Sequence, residues 1–384
     1  MNSPLRSLTA AAVVAALACA PPARALVSLE DGHDHAFVNG TVDFGYDSNV
    51  FANAQSGGSM LVQGSLATEF TRRAGLISVD ASASLSFARY ANFRDQDYVD
   101  PKVTAEFSKQ TGRTTGSLVV TAERQNRADV DVNTRDVSWN YDVGLNVLYP
   151  VIDRYSISGS FDFNHIDYQD EQLFTNLTTY TGNLYLYYIV NEERDFFVDY
   201  RSRYSEVADG SHDVDNSLSA GVSGKVFGPF NGSIQGGYTR RAIVGGGNAG
   251  DYGDFTASGT LTWTMNRQMT LSGDLARDFS TTATGQSIDS SDVGLTFKDS
   301  LSAKASATFE TSAGQSRFLG PEGLISSGMT RRVDDFVSLG ASFYYILNGH
   351  LKASLGYVFF RNWSTLAYAE FPRHQVNATL STHW

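Results

Sequence analysis

From Phe37 onward the chain alternates, residue by residue, between side chains that hydrocarbon accepts and side chains that need water. One stretch sets Ile77, Val79, Ala81, Ala83, Leu85 and Phe87 against Ser78, Asp80, Ser82, Ser84 and Ser86. Another sets Val137, Trp139, Tyr141, Val143, Leu145 and Val147 against Ser138, Asn140, Asp142, Gly144 and Asn146. A period of two puts successive side chains on opposite faces of a strand, whereas an amphipathic helix needs a period near 3.6. Eighteen such segments are legible, at 36–47, 59–71, 75–88, 102–109, 114–125, 136–148, 153–166, 178–190, 195–206, 214–227, 231–242, 253–265, 268–279, 289–298, 301–312, 333–347, 350–362 and 373–384.

The connections sort by length. Arg72-Arg73-Ala74, Tyr149-Pro150-Val151 and Asn348-Gly349 are short, while 48–58, 125–135, 167–178, 244–251 and 314–331 are longer and polar or Gly-rich. Alternating short and long links are what antiparallel neighbours produce when turns lie at one end and loops at the other. Proline cannot donate to a ladder, so Pro101, Pro150, Pro229, Pro321 and Pro372 are expected at strand starts, turns or loops, and none inside a strand. On the apolar face, aromatics such as Tyr46, Phe87, Tyr238 and Phe255 gather at the loop end, and Phe107, Tyr155, Tyr188 and Trp384 at the turn end. Two aromatic girdles around an aliphatic band mark the two membrane interfaces. The pattern predicts an all-β, transmembrane, antiparallel up-and-down β-barrel of about 18 strands (16–18), with both termini periplasmic.

Composition fits that compartment. Residues 1–25 combine Arg6, an apolar run from Leu8 to Ala20 and Ala23-Arg24-Ala25, the order of a secretory signal peptide. The expected organisation is signal peptide 1–25, a short periplasmic segment 26–35 and the barrel 36–384. The one cysteine, Cys19, falls in the signal, so the rest is expected to hold together without disulfides. A net charge of −12 argues against nucleic acid as a partner. The localisation expected is the outer membrane of a Gram-negative-type bacterium.

A ring of eighteen strands is wide enough for an aqueous lumen. Lys102, Glu123, Asp162, Lys225, Asp274 and Glu310 alternate inward. So do Tyr185 and Tyr187 of the eighth segment, with Phe197, Asp199, Arg201 and Arg203 of the ninth beside them, and Tyr344 of the sixteenth. Aromatic faces beside hydrogen-bonding charges suit a sliding sugar chain. The longest link, 314–331, is the candidate for a loop folded into the lumen. In...HQVNATLSTHW, Val376, Ala378, Leu380, Thr382 and Trp384 share the lipid face. This stretch resembles the carboxyl-terminal signal read by barrel-insertion machinery, with Leu380 and Trp384 as the assembly signal.

Other signals are bland. Gly245–Gly250 is a flexible loop rather than a nucleotide cradle, because no strand-to-helix unit surrounds it. Asp129-Val130-Asp131-Val132-Asn133 begins like a calcium loop but has Thr134 where the turn needs Gly. Loose calcium bridging at the outer loops is the most it supports, and no other cofactor is expected. Asp31, His33, Asp34 and His35 read as a polar lead-in rather than a metal site. Ser211-His212-Asp213 and His165 are neighbours in sequence, not a triad, and no catalytic residue is expected.

The opening strand, Val42-Asp43-Phe44-Gly45-Tyr46-Asp47-Ser48-Asn49-Val50-Phe51, resembles that of the "putative beta-barrel porin 2" family, which includes EpsL-type outer-membrane proteins encoded with exopolysaccharide operons. The resemblance implies a barrel associated with polysaccharide export, with a glycan and a periplasmic export protein as partners alongside membrane lipid and the assembly machinery. The alternatives are a general diffusion porin for small solutes and a non-conducting structural or binding barrel.

Overall fold

Each alternating segment forms one long antiparallel strand. The structure, a computed structural model, describes residues 27–29, 34–55, 57–73, 75–208, 210–245, 250–319 and 331–384. A short β1 (Val27–Leu29) pairs with the start of β2 (Asp34–Asp47). There follow β3 (Ser59–Arg72), β4 (Ser78–Tyr90), β5 (Tyr98–Lys109), β6 (Thr115–Asp129) and β7 (Thr134–Ile152). Next come β8 (Tyr155–Tyr168), β9 (Leu177–Asn191), β10 (Arg194–Val207), β11 (His212–Phe227), β12 (Phe230–Val244) and β13 (Gly250–Thr264). The last six are β14 (Met269–Thr281), β15 (Ser287–Asp299), β16 (Ala305–Phe318), β17 (Val333–Ile346), β18 (Leu351–Ser364) and β19 (Phe371–His383).

Strands β2 to β19 pair in chain order, and β19 returns to β2, with Leu380 opposite Val42 and Val376 opposite Tyr46. The result is a closed barrel of eighteen antiparallel strands. Closure leaves no unpaired edge, which a sheet in hydrocarbon requires. The last rung is a reciprocal pair: Trp384 and Val38 exchange backbone N–H···O bonds of 2.9 Å each. The Trp384 ring lies flat on His350, 4.6 Å away and 2° from parallel.

The two faces differ as the alternation requires. Leu184, Leu218 and Leu355 point outward and are 56%, 61% and 57% exposed, so no protein covers them. Tyr238 and Phe255 sit outward toward the loop end. The lumen holds no continuous apolar core. The fully buried residues lie instead at the loop end, among them Val50, Ala52, Phe318 and Phe371.

Three prolines correct the expectation from sequence: Pro101, Pro150 and Pro372 lie within β5, β7 and β19. Each stands where one neighbour has already ended. The β5–β6 ladder starts at Lys102, the β6–β7 ladder stops at Leu148, and the β19–β2 ladder starts at Gln375. The missing N–H therefore costs no rung on that side. The strands also run further toward the loop end than hydropathy shows: β6 and β7 extend to Asp129 and from Thr134, leaving a connection of only 130–133. Segment 1–25, Asp31, His33, residues 246–249 and residues 320–330 of the longest loop lie outside the described residues.

Candidate functional site: the lumen and its mouth

Antiparallel register decides which side chains meet inside. Tyr187 lies opposite Phe197, and Tyr185 opposite Asp199. The rings of Tyr185 and Tyr187 are 5.9 Å apart and 23° from parallel, and Phe197 packs 5.4 Å from Tyr187 and 5.9 Å from Tyr185. Phe197 is buried because its neighbour on β11 is Gly221, where a Cβ would stand only 2.4 Å from the Phe197 ring. Glycine there is a space requirement, not a turn. Tyr344 also faces inward, between Ser306 and Ser354, but stands on β17 far around the ring and joins no cluster.

Arg201 and Arg203, both half-buried, belong to an ion network on the inner side of the wall. Arg203 donates to Asp215 and Asp278, Arg201 to Asp278 (2.7 Å), and Arg241 to Asp215 through two bonds of 2.7 and 2.8 Å. Arg241 and Asp215 are each 1% exposed. The network arises because the β13–β14 ladder stops at Ala257–Arg277 while both strands continue. Freed from β13, the tip of the β14–β15 hairpin turns to the inner side of β10–β12. There Arg203 reaches the Phe279 carbonyl and Arg241 the Ser280 carbonyl. Its turn continues to the β8–β9 loop, where Thr175 N–H donates to the Ala283 carbonyl at 2.9 Å and Ala283 packs on Tyr168 and Phe174. This hairpin is an inward fold among the described residues, and residues 320–330 of the longest link lie outside them.

A second strap crosses the mouth. Arg332, at the foot of β17, donates to the Val130 and Asp131 carbonyls and to Asn133 Oδ1 in the β6–β7 turn, at 3.2, 2.5 and 2.9 Å. These elements stand eight strands apart one way round the ring and ten the other, so the bridge is nearly diametric. Asp334 pairs with the same guanidinium at 2.6 Å, and Phe318 lies under it at 4.1 Å. The Asn133 side chain donates to the Ala52 carbonyl, and Ala54 N–H to the Tyr368 carbonyl, drawing in the β2–β3 and β18–β19 loops. Of the side chains that resemble a calcium loop, Arg332 holds Asn133 Oδ1.

One carboxyl of the turn is raised above the ordinary carboxylate range. Burial, and then the charge of Asp129, push the Asp131 carboxyl up to about 6, against the opposing pull of Arg332 and Arg127 and with Asp334 adding to the rise. A carboxyl raised above its unfolded value binds more protons folded than unfolded in the window between the two. The stability this adds to the strapped arrangement is therefore fully present below the unfolded value of 3.8 and is lost as pH rises to about 6. Acidification from pH 7.5 to 5 should lower the fraction of time spent at high conductance, and Asp131→Asn should flatten that dependence. An unchanged profile in the variant would detach the strap from Asp131.

Sequence reading missed Asp215, Arg241, Asp278 and Arg332, and considered Asp213 only as a triad member. It also missed a second inward aromatic group near the mouth, Phe336, Phe360 and Phe371, with ring spacings of 5.9 and 5.7 Å. The adjacent pair Phe359-Phe360 was a usable signal, since consecutive strand residues cannot both face lipid. The Ser211-His212-Asp213 neighbours part company: Asp213 accepts from Thr281 and Ser287, while the His212 ring packs on Tyr204.

A closed eighteen-strand barrel with an apolar outer face and a polar lumen is a porin-like β-barrel of the outer-membrane class. Residues 215–383 match the family model described as "Putative beta-barrel porin 2". The match leaves out the opening strand that carried the resemblance. No curated protein matches the chain in sequence. Among solved structures, the outer membrane protein opdK from Pseudomonas aeruginosa is similar at a TM-score of 0.50 and 11% identity, covering 91% of this chain and 99% of that one. Pseudomonas aeruginosa OpdO gives 0.49 and 11%, with 91% and 97% covered. Acinetobacter baumannii OccAB2 gives 0.48 and 10%, with 91% and 98% covered. At such identities the likeness is one of fold.

Proposed function

We propose that the barrel is a passive channel for a hydrophilic, uncharged solute, with a saccharide chain passing outward as the leading form. The observation that carries this reading is the chemistry of the inner wall. Hydroxyls face one another across its ladders, as in Thr41–Ser65, Thr104–Thr121 and Thr262–Ser272, at 2.7, 3.2 and 3.1 Å. Many of its charges are neutralised in place, as in Lys102–Glu123, Arg373–Asp47 and Arg241–Asp215. Such a surface exchanges hydrogen bonds readily, which suits polyhydroxyl solutes.

The strapped mouth favours a second reading, diffusion of small solutes, because loops joined across an opening restrict what passes. Reconstituted liposomes separate the two. Loaded with glucose and with a long neutral glucan, they should release both under the first reading. Release of glucose alone would establish the second, and retention of both would leave a non-conducting surface barrel.

A further inference from the structure

We propose that the inner wall of β9 and β10 is a binding subsite for a neutral saccharide, with Tyr185 and Tyr187 as its platform and Ser233, Gln235, Ser258 and Asp274 of the cavity they line as its hydroxyl partners. It deepens the passage reading and rests on it. Phe197, wedged over Gly221 and 5% exposed, fixes the two tyrosines from behind and leaves their rings half-exposed toward the lumen. A near-parallel pair of rings held this way meets the apolar C–H faces of successive pyranose rings.

The second observation is independent of the rings. Facing the tyrosines, one cavity is completed by Ser233, Gln235, Ser258, Thr260 and Asp274. Four of these side chains both donate and accept, and the carboxylate accepts. A saccharide hydroxyl is donor and acceptor at once, so it exchanges bonds with each of them.

Charge selects the class. An aromatic carboxylate would stack on the tyrosines equally well, but Asp274 in the cavity repels it. An apolar solute would leave the polar side chains of the cavity without partners. A neutral polyol has neither fault.

The test is current blockage in planar bilayers by maltohexaose, cellohexaose and xylohexaose, with an oligouronate hexasaccharide as the charged comparison. At least one neutral hexasaccharide should produce resolved blockades, and Tyr185→Ala with Tyr187→Ala should shorten their residence at least tenfold. Tyr185→Phe with Tyr187→Phe keeps the ring faces and should retain most of the residence. Asp274→Asn should shorten it severalfold. Heat-modifiable gel mobility confirms that each variant is a folded barrel. Ion current without blockade by any neutral hexasaccharide, or equal residence in the double alanine variant, would overturn the subsite and leave the channel standing. Stronger blockade by the uronate would overturn its assignment to neutral sugars. No ion current from folded protein would overturn the passage reading and the subsite together.

Discussion

Arg332→Ala should unstrap the mouth. The side chain is 7% exposed and makes three bonds to the β6–β7 turn, besides its pairing with Asp334 and its contact with the Phe318 ring. Removing one partner of a buried pair costs roughly 3–5 kcal/mol, because the carboxylate left behind has lost its counter-charge. A change of that size shifts a two-state loop equilibrium by a factor on the order of a hundred or more. In bilayer recordings the variant should spend most of its time at a conductance level that the parent visits rarely. The barrel should remain folded, since the bridge joins loops and not ladder rungs. Indistinguishable recordings would show that the strap does not govern the opening.

Asp215→Ala attacks the other constriction. Asp215 receives Arg203 and Arg241 together, and both arginines also hold the backbone of the β14–β15 hairpin. Without the carboxylate two guanidiniums are buried with too few acceptors, a penalty of about 3–5 kcal/mol or more. The docked hairpin should yield before the barrel does, because a local opening is the cheaper relief. Protease should cut near Thr282–Gln286 in intact membranes, and conductance should rise. Asp215→Asn retains an acceptor and should show a smaller change. Resistance to cleavage in both variants would mean that contacts at Thr175, Tyr168 and Phe174 suffice to hold the tip. Combining Asp215→Ala with Arg332→Ala should depart from additivity, because Val132 of the strapped turn packs on the Tyr168, Phe174 and Ala283 cluster that holds the hairpin tip.

The fold was almost wholly legible in the order of residues. Strand number and facing follow from the period of two, because a one-residue slip would turn an entire apolar row into the lumen. The same rule placed Tyr185, Tyr187, Phe197 and Asp199 on one inner surface, since tight turns hold neighbouring strands in register. What the alternation cannot express is how far strands continue beyond the hydrocarbon, as β6 and β7 do, or where two neighbours part, as β13 and β14 do above Ala257. Those departures are decided by contacts between residues far apart in the chain. Arg332 meets the turn at Val130–Asn133 across the diameter of the ring, and Arg241 meets the Ser280 carbonyl only because the hairpin leans inward. A periodic pattern specifies the wall of a barrel, because lipid and water act on each residue locally. The state of its mouth is set by a few long-range ion pairs and hydrogen bonds, and these exist only once the ring has closed.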